Sequence, residues 1–389
     1  MAVYLLLMIL LSIGNAELLV TAVNRVHSRP LPAVVLREIR HLHDLLIPLF
    51  PSWLIVVVGW FGPGVLRHPV PVLETWSRLP LMVQVWFGCC TLGCGGFVWS
   101  VLRYWLTRTP PHQVTLQSEV EDVAQSLGFV PRGEGPFQSM TKLPFNECFQ
   151  VEWTTRTLRL PRLPSALDGL TILQVSDLHF IGTIDRPWFE HIFERASRLE
   201  ADLIVCTGDI LDGAQFADWL PTTLGRLHAP LGCYFILGNH DWHLEPQPIR
   251  EAVTALGWRD VSSTVQMLDI AGGRLAIGGS ERPWMGRQPD FRPLPADAFR
   301  LLLSHSPDNF QWARRERIDL MLSGHNHGGQ VRLPGIGPVY SPSAHGCRYS
   351  GGLYWSDPTL MFVNRGLSGR HPLRIGARPE VTRLILKRS

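Results

Sequence analysis

Aspartate, asparagine and histidine recur in this chain directly after short apolar runs. "TILQVSDLH" delivers Asp177 and His179, and "DLIVCTGD" delivers Asp209. "CYFILGNHD" delivers Asn239, His240 and Asp241, "FRLLLSH" delivers His305, and "DLMLSGHNH" delivers His325 and His327. Any one histidine at the end of an apolar run is more often a satisfied structural residue. Five such clusters are different, because carboxylates and imidazoles in that number need a charged partner when buried. A pair of divalent cations supplies one. Aspartate and asparagine oxygen with imidazole nitrogen, and no thiolate, suits Mn²⁺, Fe, Zn²⁺, Co²⁺ or Mg²⁺. One aspartate can bridge two ions held about 3.5–4 Å apart. Gly208, Gly238, Gly324, Gly328 and Gly329 suit a backbone that turns sharply beside a ligand.

Such residues need a scaffold that brings distant segments to one edge. The apolar runs are short, and helical patterns lie between several of them. From Arg186 to Leu199, Trp188, Phe189, Ile192, Phe193, Ala196 and Leu199 share one helical face. Strands alternating with helices predict an α/β layered domain. In such domains sites gather at the carboxyl ends of the strands. A shorter helical patch is expected near Leu116–Leu127.

In order, "SDLHF", "TGDILD", "GNHD", "LLSHSPD" and "GHNHGG" resemble the calcineurin-like metallophosphoesterases. The tail "GGQVRLPGIGPVYSP", "RYSGGLYW" and "VNRGL" is similar to the bacterial membrane-tethered branch of that family. The resemblance covers residues 151–389 and implies a layered sandwich of two β-sheets flanked by helices. It implies that Asp177, His179 and His327 hold one metal, that Asp209 bridges, and that Asn239, His305 and His325 complete the second. His240 would stand near the leaving group with Asp241 behind it. Asn326 departs from the threonine more usual in that branch, which bears on contacts behind the ligands. The implied reaction is attack on phosphorus by a hydroxide shared between two cations. The motifs fix reaction type and not substrate: a phosphodiester, a pyrophosphate or a lipid-linked phosphoester all fit. Some relatives in the wider family cleave UDP-2,3-diacylglucosamine. An inactive membrane scaffold with the same fold is the contrasting reading.

The first 106 residues read as membrane. Residues 3–23, 45–66 and 81–106 are three apolar stretches of about the 20 residues needed to span hydrocarbon. Trp53, Trp60, Trp76, Trp86, Trp99 and Trp105 are candidate interfacial anchors. Prolines 48, 51 and 63 interrupt the middle one. Arg25, Arg29, Arg37 and Arg40 follow the first stretch and only Arg67 and Arg78 the second, an asymmetry favouring a multi-pass protein with its catalytic domain cytoplasmic. "SIGNA" ending at Ala16 has the look of a signal-peptidase site but lacks a basic segment before it. Residues 107–150 read as a linker. Net charge of +3 and no basic stripe argue against a nucleic-acid partner. Seven cysteines without a CxxC pair fit reduced thiols. Asp212 is as compatible with a surface turn as with support for Asp209. Arg332, Arg348 and Arg365 are candidate phosphate contacts, and Trp242, Trp258 and Trp284 candidate walls of an apolar groove.

Overall fold

A computed structural model describes residues 2–61 and 72–389, in two compact units, Met1–Thr107 and Arg108–Ser389. The first unit contains helices α1 (Ala2–His27), α2 (Ala33–Phe61), α3 (Val72–Arg78) and α4 (Leu81–Leu106). Helices α1 and α4 are each long and apolar enough to cross a membrane. They approach closely because two glycines meet: a Cβ on Gly14 would lie 1.8 Å from the Cys90 carbonyl oxygen, and one on Gly93 2.4 Å from that of Gly14. Small residues at such a crossing let backbones pack without lipid between them. Of the middle stretch 45–66, helix α2 covers the part up to Phe61 with Pro48 and Pro51 inside it. Residues 62–66 lie outside those described.

The second unit runs β1 (Gln113–Asp122), α5 (Val123–Leu127), β2 (Gln150–Leu160), β3 (Thr171–Val175), α6 (Arg186–Ser197), β4 (Leu203–Thr207), β5 (Cys233–Ile236), α7 (Asn239–His243), α8 (Pro246–Ala255) and β6 (Arg259–Asp260). It continues with β7 (Val265–Ile270), β8 (Gly273–Ser280), β9 (Phe299–Ser304), α9 (Phe310–Arg315), β10 (Leu320–Ser323), β11 (Arg332–Leu333), β12 (Gly337–Pro338), β13 (Gly352–Ser356), β14 (Thr359–Val363) and β15 (Glu380–Arg388). One sheet has the order β1-β2-β15-β3-β4-β5-β6, the other β13-β14-β10-β9-β8-β7.

Strand β4 shows why these runs are apolar throughout. Leu203 and Val205 face the second sheet, packed with Ile277, Leu301 and Leu322. Ile204 and Cys206 face outward, against Phe193 and Val253 of α6 and α8. A strand buried on both faces cannot alternate apolar with polar. The second sheet's outer face, through Leu302 and Met321, is covered by Phe310 and Ala313 of α9. The result is the predicted mixed α/β sandwich of two sheets between helices. Helix α6 buries Trp188, Phe189, Ile192, Phe193 and Ala196, as its pattern predicts, and starts at Asp185, whose carboxylate accepts from the Arg186 N–H.

The expected helix at 116–127 is mostly a strand. Residues 113–122 pair antiparallel with β2, and only Val123–Leu127 is helical, capped by Asp122 and ended at Gly128 with φ 75°. A ladder available from β2 overrides the local helical pattern. The first sheet therefore begins inside the stretch that reads as a linker.

Candidate metal centre

Parallel strands β3, β4 and β5 of one sheet and β9 and β10 of the other all end at one edge of the sandwich. The chain turns there in left-handed conformations that few side chains adopt. Asp177 (φ 50°), His179 (φ 45°), Asp209 (φ 54°), His325 (φ 70°) and His327 (φ 49°) account for five of the eleven non-glycine residues with positive φ among those described. Strain concentrated in this way marks a site where geometry outranks local stability.

Three overlapping groups of side chains result, one of them His179, Asp209 and His240. Asp177, His179 and His327 present ligand atoms within 4.8 Å of one another, and so do Asp209, His305 and His325. Asp209 stands between them: its Oδ2 is 3.5 Å from His179 Nε2 and 3.3 Å from His305 Nε2. Asn239 Oδ1 lies 3.1 Å from His305 Nε2. All seven residues expected to hold metal thus converge.

The donor set calls for cations. His179 Nε2 and Asp209 Oδ2 are buried without a hydrogen-bond partner, which is costly unless something charged lies between them. His305 Nδ1 donates to the Thr207 carbonyl at 2.7 Å, and His325 Nε2 to that of Pro342 at 2.8 Å. With both rings neutral, their remaining nitrogens turn lone pairs on each other across 3.2 Å, which either a proton on His305 or a bound cation reconciles.

Burial and like charges dominate the electrostatics. Burial pushes the Asp177 carboxyl up, with Asp209 adding to the rise. Asp209 goes the other way: burial opposes, but the His305 and His240 charges hold it well below the usual carboxylate range. Burial, then His305, lowers His325 to about 3, and burial, then His179 and Arg374, lowers His327 well below its ordinary value. His325 and His327 are thereby neutral beside an ionised Asp209, the protonation pattern a metal requires. Burial opposes, but Asp209 raises His305 to about 9, a proton that a bound cation would displace.

His240 and Asp241 do not form the expected pair. Asp241 accepts backbone N–H groups from Ile210, Leu211 and Gly238, at 3.0, 2.9 and 2.9 Å, so it ties the β4 and β5 turns together. The His240 Nδ1 instead meets Asp212, whose other oxygen lies 2.9 Å from His179 Nδ1. Asp212 is therefore part of the site. Burial opposes, but the charges of His240 and His179 pull its carboxyl far below the usual range. Asp212 and Asp209 together raise His240 to about 9 against the effect of its burial.

Arg374 is a residue that spacing did not single out. It is fully buried, donates to the carbonyls of His327, Arg365, Ala377 and Ser368, and reaches His327 Nδ1 at 3.2 Å. Asn326 turns its amide to the Tyr349 carbonyl, 2.8 Å away, behind the ligands. Arg365 pairs inward with Glu152 and Glu380 and is no phosphate contact. Arg348 lies over the Tyr349 ring. Trp284 packs on His325 and His305, with centroids 4.9 and 5.6 Å apart. Trp258 is core, while Trp242 is half-buried beside His243.

Residues 170–329, which carry every one of these motifs, match the calcineurin-like phosphoesterase family. The chain is 34% identical over 251 residues to the uncharacterized metallophosphoesterase YkuE of Bacillus subtilis, covering 62% of this chain and 87% of that one. It is 29% identical over 227 residues to the phosphodiesterase YaeI of Escherichia coli, covering 55% and 81%. It is 27% identical over 284 residues to the UDP-2,3-diacylglucosamine pyrophosphatase LpxG of Chlamydia muridarum, covering 57% and 85%. With strand-end aspartates, asparagine and histidines converging on one edge of a two-sheet sandwich, the chain belongs to the calcineurin-like metallophosphoesterases and is a metal-dependent phosphoesterase.

Proposed function

We propose that the protein is a membrane-anchored phosphohydrolase with a binuclear metal centre that cleaves a phosphodiester or pyrophosphate bond. The observation that carries this is Asp209, whose carboxylate lies between two ligand groups, one from each side of the site. Asp177, His179 and His327 would hold one ion, Asn239, His305 and His325 the other, with Asp209 bridging. When bound, divalent metals supply Lewis acidity for the phosphoryl oxygens and an acidified water.

The chain's own residues do the rest. Asp212 fixes the His240 ring through Nδ1 and leaves Nε2 as the atom to hand a proton to the departing oxygen. The same carboxylate fixes His179 through its Nδ1, so one residue aligns a ligand and the proton donor together. Trp284 walls the site beside His305 and His325, limiting water on that side.

Helices α1 and α4 support membrane anchoring, and the arginine asymmetry supports a multi-pass chain with a cytoplasmic catalytic domain. A lipid-linked substrate, narrowed to a UDP-2,3-diacylglucosamine-type pyrophosphatase activity, is the form of this reading favoured by the likeness to LpxG. The test is purified full-length protein with Mn²⁺ and bis-p-nitrophenyl phosphate. Wild type turns over, while Asp209→Ala and His240→Ala do not; equal turnover in all three refutes the assignment. A C-terminal reporter fusion reads the topology.

A further inference from the structure

Two of the remaining positive-φ residues are bulky aromatics: Phe137 (φ 62°) and Phe145 (φ 63°). A phenylalanine in the left-handed region is strained, and glycine there would not be. Core packing does not compensate, because Phe137 is 41% exposed and Phe145 85%. Leu143 between them is also exposed. Strain retained at exposed aromatic side chains points to a use for those side chains.

The segment is firmly held, and what holds it is the rim of the metal centre. Gly133 and Gly135 donate to the carbonyls of Thr183 and Gly182, and the Thr183 hydroxyl donates to that of Pro136 at 2.6 Å. These partners follow His179 in the chain. On the other side, the Asn146 amide donates to the Pro372 carbonyl at 2.7 Å, and Arg374 N–H donates to Asn146 Oδ1 at 2.9 Å. The Phe137 ring lies on His371, with centroids 4.4 Å apart. Two residues earlier, a Cβ on Gly369 would lie 3.7 Å from the Cε1 atom of His327. The loop bearing Phe137 thus continues into the wall of the site.

Between Gly369 and His371 stands Arg370, exposed and without a hydrogen bond or ion pair among the described residues. It directly follows Gly369, the residue that lies against His327. A cation at the rim and apolar side chains just beyond it match an amphiphile with an anionic head.

We propose that Phe137, Leu143 and Phe145 form a subsite for the hydrocarbon chain of an amphiphilic phosphoester, with Arg370 meeting its anionic head beside the metal centre. This rests on the phosphoesterase reading of the centre and names the substrate class that centre takes. The loop's continuity with Gly369 and His327 is what favours a substrate chain over the bilayer surface as the occupant.

The experiment uses the full chain in detergent and compares dodecylphosphonate with ethylphosphonate as inhibitors of bis-p-nitrophenyl phosphate hydrolysis. In wild type the long chain binds tighter by at least about ten-fold, given the apolar area it buries. In Phe145→Gly and in Phe137→Gly/Phe145→Gly that ratio falls toward one, while thermal stability holds or rises because strain is relieved. Phe145→Leu keeps most of the ratio, and Arg370→Gln weakens both phosphonates alike. A wild-type ratio near one overturns the proposal, and so does a ratio that survives the double glycine variant. Variants that keep the ratio but lose activity only in lipid nanodiscs would show a bilayer-docking loop, which also overturns it. Absence of any turnover in wild type strikes instead the phosphoesterase reading, and the chain-length ratio is then read by calorimetry.

Discussion

Gly238→Ala tests how tightly the centre is built. Gly238 sits at φ −115°, a conformation open to any residue, so alanine carries no backbone penalty there. Its Cβ would lie 2.1 Å from Asp209 Oδ1 and 2.7 Å from Asp209 Cγ. Ordinary contacts begin near 3 Å, so the carboxylate must retreat by about 1 Å. It has nowhere easy to go, since the same oxygen accepts the His240 N–H at 2.9 Å and Asp209 is itself strained at φ 54°. A displacement of about 1 Å at a residue that aligns the reaction costs about 10²-fold in rate, and overpacking costs about 1–3 kcal/mol of stability. The assay is kcat/KM on bis-p-nitrophenyl phosphate with Mn²⁺, together with metal per chain by mass spectrometry. Gly257→Ala is the control: it pays the backbone penalty of φ 88° but meets nothing within 4 Å. If Gly238→Ala keeps its full metal content and a kcat/KM within about two-fold of wild type, Asp209 does not bridge as described.

Three further outcomes are expected. Asp212→Asn lowers kcat/KM by about 10–100-fold with little change in unfolding midpoint, whereas Asp241→Asn chiefly destabilises, by about 1–3 kcal/mol, through its three backbone donors; steady-state kinetics and thermal unfolding separate the two. Burial works to raise the Glu121 carboxyl, but hydrogen bonds from His191, Arg195 and Ser126 hold it at about 2. A depressed value means its stabilisation is complete above the unfolded value of about 4.3 and is lost as pH falls through about 2. Glu121→Gln is then less stable than wild type at pH 7, and the two converge in acid. Chelation abolishes activity and lowers the melting temperature, by the equivalent of about 2.7 kcal/mol where free metal had stood at 100 times its dissociation constant; Mn²⁺ restores both.

The convergence of the candidate metal-holding residues was legible because each follows an apolar run whose strand is buried on both faces, so polarity changes abruptly where the strand ends. Helix α6 was legible for the matching reason, a single apolar stripe. Strand β1 was not: Val114, Leu116 and Val120 are exposed on an edge, and only pairing with β2 decides their conformation. Asp212 could be read equally as a turn residue or as support for Asp209, because its two imidazole partners come from other segments of the chain. Arg374 was hidden among many surface arginines, since nothing local records that four carbonyls await it. The strained pair Phe137 and Phe145 likewise shows only in backbone angles.

Strand β15 lies in the middle of the first sheet, between β2 and β3, yet it is the last of the described strands to leave the ribosome. Until residues 380–388 emerge, β2 and β3 each present an open edge, and Glu380 is not there to receive Arg156 and Arg365. The turns of the candidate metal centre are thus synthesised well before the sheet that holds them can close. A nascent chain stalled short of Arg388 carries its ligands in order and exposes two unpaired edges, the form in which a sheet protein aggregates or is degraded. Vectorial synthesis makes closure of this sheet a checkpoint on the enzyme's assembly.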